Sequence, residues 1–284
     1  MESTISVNLL FDKYLAWCKT HRAQRSLEWY EGHINGFRRF LGDNASVPAL
    51  ELKPYHIVEW IDAHPKWGDT YKGGAIVAIK RVYNWADELG YLDVNPIKKL
   101  KKPQARRRDN HMRPEDFDNI MARLSPDDPF RTFLTFMWLV GCRPQEARHI
   151  EPRHVHLDRG CIIIPKEEAK GKRKARIIHL QGESLEIVQR RMAIVTEGKL
   201  FRNTRGDAWT KFAVCNRMHR LSLLTGKKMA AYDTRHGFAT RKLLQGHDHL
   251  IVAAIMGHTN GSMLATVYSH VDKDEAHLKR ALID

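Results

Sequence analysis

The sequence predicts a mainly α-helical chain with one small β-hairpin (α+β): a helical unit over residues 1–95, a basic linker over 96–112 and a mixed unit over 113–284. Three observations carry this. Apolar residues recur at helical spacing in four consecutive segments of the first unit. A proline-bounded run of positive charge follows. Two β-branched runs then bracket a short basic loop within an otherwise helix-patterned second unit.

In the first unit, "NLLFDKYLAWCK" sets Leu10, Tyr14 and Trp17 on one face. "SLEWYEGHINGFRRFLG" reads as a helix capped by Ser26, with Trp29, Tyr30, Ile34, Phe37 and Leu41 on its apolar face and Gly42 as its stop. Ile57, Trp60 and Ile61 repeat the pattern, as do Ile76, Ile79, Tyr83 and Ala86 before Gly90. Four amphipathic helices on short connections predict a small bundle whose aromatic residues form its core.

Between Ile97 and Arg108 lie seven basic residues, Lys98, Lys99, Lys101, Lys102, Arg106, Arg107 and Arg108, and no acidic one. Unbroken like charge argues against a packed element, so the stretch reads as a linker that faces polyphosphate or, failing a partner, solvent.

The second unit opens with "PEDFDNIMARL", a helix, and "PFRTFLTFMWLVG", apolar nearly all round and so a buried central helix ending at Gly141. "CIIIP" and "ARIIHL" form the hairpin around "KEEAKGKRK". Helical periodicity returns with Leu185, Ile187 and Val188, then with Leu221, Leu223 and Leu224. Leu250, Ile251, Ala254 and Ile255 predict a short buried helix ending at Gly257, and a last helix runs from about Ser262.

Composition limits the partners. A formal charge of +14, from 47 Lys and Arg against 33 Asp and Glu, points to a polyanion. No run is long and apolar enough to span a bilayer, and "MESTISVNLL" lacks the features of a secretory signal, so a soluble, intracellular protein is expected. Cys18, Cys142, Cys161 and Cys215 have neither disulfide-framework nor zinc-module spacing and read as reduced thiols. The closest histidines, His154 with His156 and His247 with His249, stand two apart without an HExxH pattern, so no metal is expected.

Four places in the second unit concentrate polar groups. In "VGCRPQEARHI", Arg143 occupies the junction between two helices with Glu146 three residues on, either a structural pair or an anion site. The hairpin tip carries Lys170 and Lys172 around Gly171, a turn that is either solvated or ligand-facing. In "AYDTRHGFATR", Asp233 as a cap would put Arg235 in the first helical turn, where free N–H groups favour an anion, with Tyr232 just outside. His258 follows Gly257 at once, and Tyr268 lies at core spacing between Leu264 and Val271. Together they suit phosphodiester chemistry: cations neutralise the non-bridging oxygens and a phenol is a competent oxygen nucleophile.

These segments, "GCRPQEARHI", "AKGKRKARIIHL", "YDTRHGFAT" and "IMGHTNGSMLATVYSHV", taken in this order, resemble the tyrosine recombinases of the phage integrase family. The resemblance spans the second unit; the first unit with "NPIKKLKKP" resembles the family's core-binding domain and linker. It implies a helical core-binding domain joined to a catalytic domain, a clamp on double-stranded DNA, and site-specific cleavage and rejoining through a 3′-phosphotyrosine without metal or cofactor. Tyr268 is then the nucleophile, Arg143 and Arg235 clamp the phosphate, His258 holds its oxygens or the tyrosine, Glu146 supports Arg143, and Lys170 protonates the departing 5′-hydroxyl.

Two departures from the family pattern stand out. The histidine that opens the family's HxxR motif is Tyr232 here, a phenol that hydrogen-bonds phosphate but accepts a proton poorly near neutral pH. His236 is the nearest imidazole, at a position where the family usually carries a histidine with a packing role. The hairpin is one residue longer than common, leaving Lys172 as the alternative to Lys170.

The resemblance further implies a homotetramer on a specific DNA site, a monomer when free, accessory DNA-bending proteins and a cytoplasmic, prokaryotic or phage-encoded protein. The segment "DKDEAHLKRALID" would dock on a neighbouring protomer or fold back on its own unit. The rival readings are a type IB topoisomerase-like relaxing enzyme and a DNA-binding regulator that has lost catalysis.

Overall fold

A computed structural model describes residues 5–102, 112–169 and 174–258. The chain divides into two compact units, Met1–Arg108 and Asp109–Asp284.

The first unit holds α1 (Val7–His21), α2 (Gln24–Leu41), α3 (Pro54–Asp62) and α4 (Asp69–Glu88). Its core holds most of the predicted apolar faces: Leu10 and Tyr14 of α1, Ile34 and Phe37 of α2, Ile57 and Trp60 of α3, and Ile76, Ile79 and Tyr83 of α4 are buried together. Phe11, which the pattern does not single out, is buried with them, while Trp17 and Tyr30 are only partly buried against them. Ser6 caps α1, its hydroxyl accepting from the Leu9 N–H at 3.2 Å. The cap predicted for α2 is corrected: the helix starts at Gln24, with Ala23 as the cap residue, and Ser26 lies inside the first turn. Trp29 is exposed rather than in the core, because Leu27 takes the inward position at that level.

The start of the basic stretch is packed, against the expectation of an unpacked linker. Ile97 is fully buried in the first core, and the Lys80 ammonium donates to the carbonyls of Lys98 at 3.0 Å and Leu100 at 2.5 Å. One buried isoleucine and two charge-assisted hydrogen bonds outweigh the repulsion of neighbouring lysines. The side chains of Lys98, Lys99, Lys101 and Lys102 stay exposed. Arg106, Arg107 and Arg108 lie outside the described residues.

The second unit contains α5 (Pro114–Met121), α6 (Pro129–Val140), α7 (Pro144–His149), β1 (Val155–His156), β2 (Cys161–Ile164), β3 (Arg176–His179), α8 (Glu183–Met192), α9 (Lys211–Thr225), α10 (Asp233–Leu244) and α11 (His249–Met256). The strands form one antiparallel sheet in the order β1-β2-β3, with Ile162 opposite Ile178 and Ile164 opposite Arg176. β1 is too short to have left a period-two signal.

Helix α6 is the predicted central element. Asp128 caps it, Pro129 occupies its first turn, and Phe130, Phe133, Phe136 and Met137 are fully buried. It ends at Gly141, whose φ of 63° and contact with Phe238 both require glycine: a Cβ there would stand 2.4 Å from the ring. Helix α10 packs on α6 through a second glycine, Gly237, where a Cβ would come within 2.3 Å of Trp138 and of the Met112 carbonyl.

Two predicted apolar faces are corrected. Leu223 and Leu224 of α9 are exposed, and only Leu221 of the three joins the core. On α11 the buried residues are Val252, Ala253 and Met256, while Leu250 and Ile251 face outward. That helix is apolar nearly all round, so its periodicity does not choose a side; packing against Phe238 and Ala239 of α10 does.

Candidate active site

Three of the four predicted places, as far as they are described, converge where the α6–α7 junction, the start of β3, the first turn of α10 and the end of α11 meet.

Arg143 is the residue before α7, in extended conformation, and Glu146 sits three residues on. The Arg143 N–H donates to Glu146 Oε2 at 2.8 Å and its Nη1 donates to Oε1 at 2.6 Å. The glutamate thus closes the helix start and orients the guanidinium in one step. A second cation meets the same carboxylate: Arg176 Nε lies 3.5 Å from Oε2, with the two side chains only 8% and 9% exposed. Burial alone would raise the Glu146 pKa, but Arg176 first, then the Arg143 N–H and guanidinium, hold it below the usual carboxylate range.

Arg235 is 1% exposed. Its Nη1 donates to the Gly141 carbonyl at 2.7 Å and its Nη2 to the Met256 carbonyl at 2.8 Å, so the guanidinium closes the C-terminal ends of α6 and α11 at once. Those ends carry the negative poles of their helices, which compensates a buried cation. Burial, then the nearby Arg143, lower its pKa from the ordinary guanidinium range; the group nevertheless remains charged at neutral pH. Among the described residues, two of its five N–H groups are engaged, in these bonds.

His258 comes directly after Gly257, and its N–H donates to the Ala253 carbonyl at 2.9 Å. Its Nδ1 is buried with no hydrogen-bond partner among the described residues. Burial, then Arg235, Arg143 and Arg176, push its pKa down to about 4, so the imidazole is neutral at pH 7. Gly257 is required twice over: its φ is 68°, and a Cβ would stand 2.8 Å from the Arg176 side chain.

At the head of α10 the predicted cap is corrected. Tyr232 is the residue before the helix, Asp233 is its first residue, and the Asp233 carboxylate reaches back to accept from the Ala230 N–H at 2.7 Å. Tyr232 is 42% exposed, and its ring meets the His236 ring edge-on at 5.2 Å. Its proximity to Arg235 shows in the electrostatics of that guanidinium.

Thus Arg143, Glu146, Arg235 and His258 share one pocket, with Tyr232 and His236 at its margin. Lys170, Lys172 and Tyr268 lie outside the described residues. Arg176 went unassigned in the sequence, although a signal was present: it stands two residues before the buried Ile178, on the inward face of β3. The neighbouring Cys142 is fully buried and its thiol is pushed up to about 12, which keeps it protonated and inert. Among the described residues, three guanidiniums stand around one carboxylate and a neutral imidazole, a formal excess of positive charge that suits an anion.

A family model described as the phage integrase family matches residues 110–275. Over 92% of its length the chain is 27% identical to tyrosine recombinase XerD of Neisseria meningitidis serogroup B, covering 93% of that protein. It is 22% identical to tyrosine recombinase XerC of Halalkalibacterium halodurans, over 92% of this chain and 91% of that one. Among solved structures, the fold is similar to the Tn1549 transposon integrase in complex with transposon right end DNA, with a TM-score of 0.76, 17% identity and coverage of 97% and 99% of the two chains. It is also similar to a lambda integrase tetramer bound to a Holliday junction, with a TM-score of 0.77, 14% identity and coverage of 94% and 78%.

Proposed function

The chain belongs to the phage integrase family, and from that premise we propose that it cleaves and rejoins DNA through Tyr268. It is a tyrosine recombinase, an enzyme of site-specific DNA recombination. The topoisomerase and regulator readings are not favoured.

The observation that carries the chemistry is the charge of the pocket. A phosphodiester carries one negative charge and the pentacovalent species formed on attack carries two, so the formal excess of guanidinium charge among the described residues favours the transition state over the ground state. Because these cations are held by Glu146, Gly141 and Met256 before any ligand arrives, little reorganisation is needed when charge develops.

In this reaction the Tyr268 oxygen bonds to phosphorus and gives its proton to water, the P–O5′ bond breaks, and Lys170, or Lys172 in its stead, protonates the departing 5′-oxygen. Arg143 and Arg235 hold the non-bridging oxygens. His258, neutral at pH 7, adds a hydrogen bond without charge. Tyr232 supplies a phenol hydroxyl where the family pattern has histidine. Attack of a partner strand's 5′-hydroxyl on the phosphotyrosine reverses the step, and the phosphoester energy is conserved in the covalent link.

The partner is double-stranded DNA carrying a specific site, with Lys98, Lys99, Lys101, Lys102, Arg106, Arg107 and Arg108 on the phosphate backbone and a homotetramer at synapsis. The test is a duplex nicked beside the cleavage position, so that the severed strand diffuses away. Wild type should accumulate a covalent protein–DNA adduct and Tyr268→Phe none; no adduct from wild type on a verified site overturns the reading.

A further inference from the structure

We propose that Arg176 is a positioning residue of the cleavage reaction, holding Glu146 in place and thereby fixing the Arg143 guanidinium that meets the scissile phosphate. The inference rests on the recombinase reading of the same pocket. Glu146 is shared: its Oε1 accepts from Arg143 Nη1 at 2.6 Å, and its Oε2 accepts the Arg143 N–H at 2.8 Å with Arg176 Nε 3.5 Å away. A carboxylate only 9% exposed, with nothing but one residue's groups around it, is free to pivot about that residue. A second cation, brought in from a strand 30 positions further along the chain, removes that freedom.

Arg176 is itself fixed. It opens β3 opposite Ile164, its Nη1 donates to the Ile177 carbonyl, and its aliphatic stem passes over Gly257, where a Cβ would collide with it. A purely architectural demand at this inward position would be met by an apolar residue, as it is at Ile178. A buried guanidinium is instead costly unless something compensates it. Here both Nε and Nη2 are buried without a hydrogen-bond partner among the described residues, so the structure bears that cost. The return lies in the pocket: Arg176 adds one of its positive charges and aligns the carboxylate that aims another.

The experiment measures single-turnover cleavage of the nicked duplex at saturating protein, alongside DNA affinity and thermal melting. Arg176→Gln should cleave roughly 10- to 100-fold more slowly, the scale of a small misplacement of a catalytic group, with Kd and melting temperature near wild type. The double variant Arg176→Gln/Glu146→Gln should be no slower than the slower single variant, because both changes interrupt one linkage. Arg176→Lys keeps the charge but not the planar fork and should recover part of the rate; it also serves if Arg176→Gln does not fold, and a wild-type rate in it overturns the proposal. Wild-type cleavage by Arg176→Gln, or fully additive losses in the double variant, overturns it as well. These outcomes are read only where wild type forms adduct, which separates them from failure of the recombinase reading.

Discussion

Arg235 Nη1 donates to the carbonyl of Gly141 at 2.7 Å, a bond between residues 94 positions apart that ties the first turn of α10 to the end of α6. The same guanidinium bonds the Met256 carbonyl, so a residue proposed for the phosphate clamp also joins three helices.

Removing that side chain should therefore cost stability as well as activity. Arg235→Ala strands two buried carbonyls and leaves a void, an expected loss on the order of 3 kcal/mol or more in urea unfolding. Arg235→Lys, whose single ammonium does not span both carbonyls in the guanidinium's geometry, should retain part of the stability and little of the cleavage.

Acid should unfold the protein through the same pocket. His258 binds its proton at about 4 when folded, against the ordinary 6.5, so between these values the unfolded chain binds more protons and stability falls as pH falls. The depressed carboxyl of Glu146 adds a further loss at lower pH, as it protonates on the way through its folded pKa. Urea unfolding measured from pH 7 to 4 should show this decline, and His258→Gln should make it shallower, leaving the share of the buried His33 and His154, whose pKa values burial also lowers.

The exposed lysines after Ile97 should act on DNA of any sequence. Replacing Lys98, Lys99, Lys101 and Lys102 by Gln should weaken binding to specific and random duplexes alike. The log–log salt dependence should become shallower by roughly 0.9 for each lysine that meets a phosphate. An unchanged slope would remove them from the interface.

Tyr232 separates stability from chemistry. At 42% exposure, with its ring against His236, Tyr232→Phe should leave unfolding free energy within about 0.5 kcal/mol. The cleavage rate of the nicked duplex should fall by about 10-fold if the hydroxyl hydrogen-bonds the phosphate in the transition state. Tyr232→His restores the family pattern at this position, and its rate relative to wild type measures what the phenol replaced.

Local pattern determined a good deal of this protein. The four helices of the first unit, the buried α6 between Pro129 and Gly141, the two long strands, and the Arg143–Glu146 pair all follow from spacings of a few residues, because helix and strand periods and caps are themselves short-range. The order of the motifs sufficed for the family. Tertiary structure decided the rest. Whether Leu250, Ile251, Leu223 and Leu224 face core or solvent depends on which neighbour arrives, and a helix apolar on most sides does not specify that. Ile97 was hidden among lysines until a hydrophobic core claimed it. Arg176 became part of the site only when β3 brought it to Glu146, and Arg235 turned from the pole of its own helix to the carbonyl ends of two others. Long-range electrostatic partners leave no period in a sequence; they exist only once the chain has folded and water has been excluded from between them.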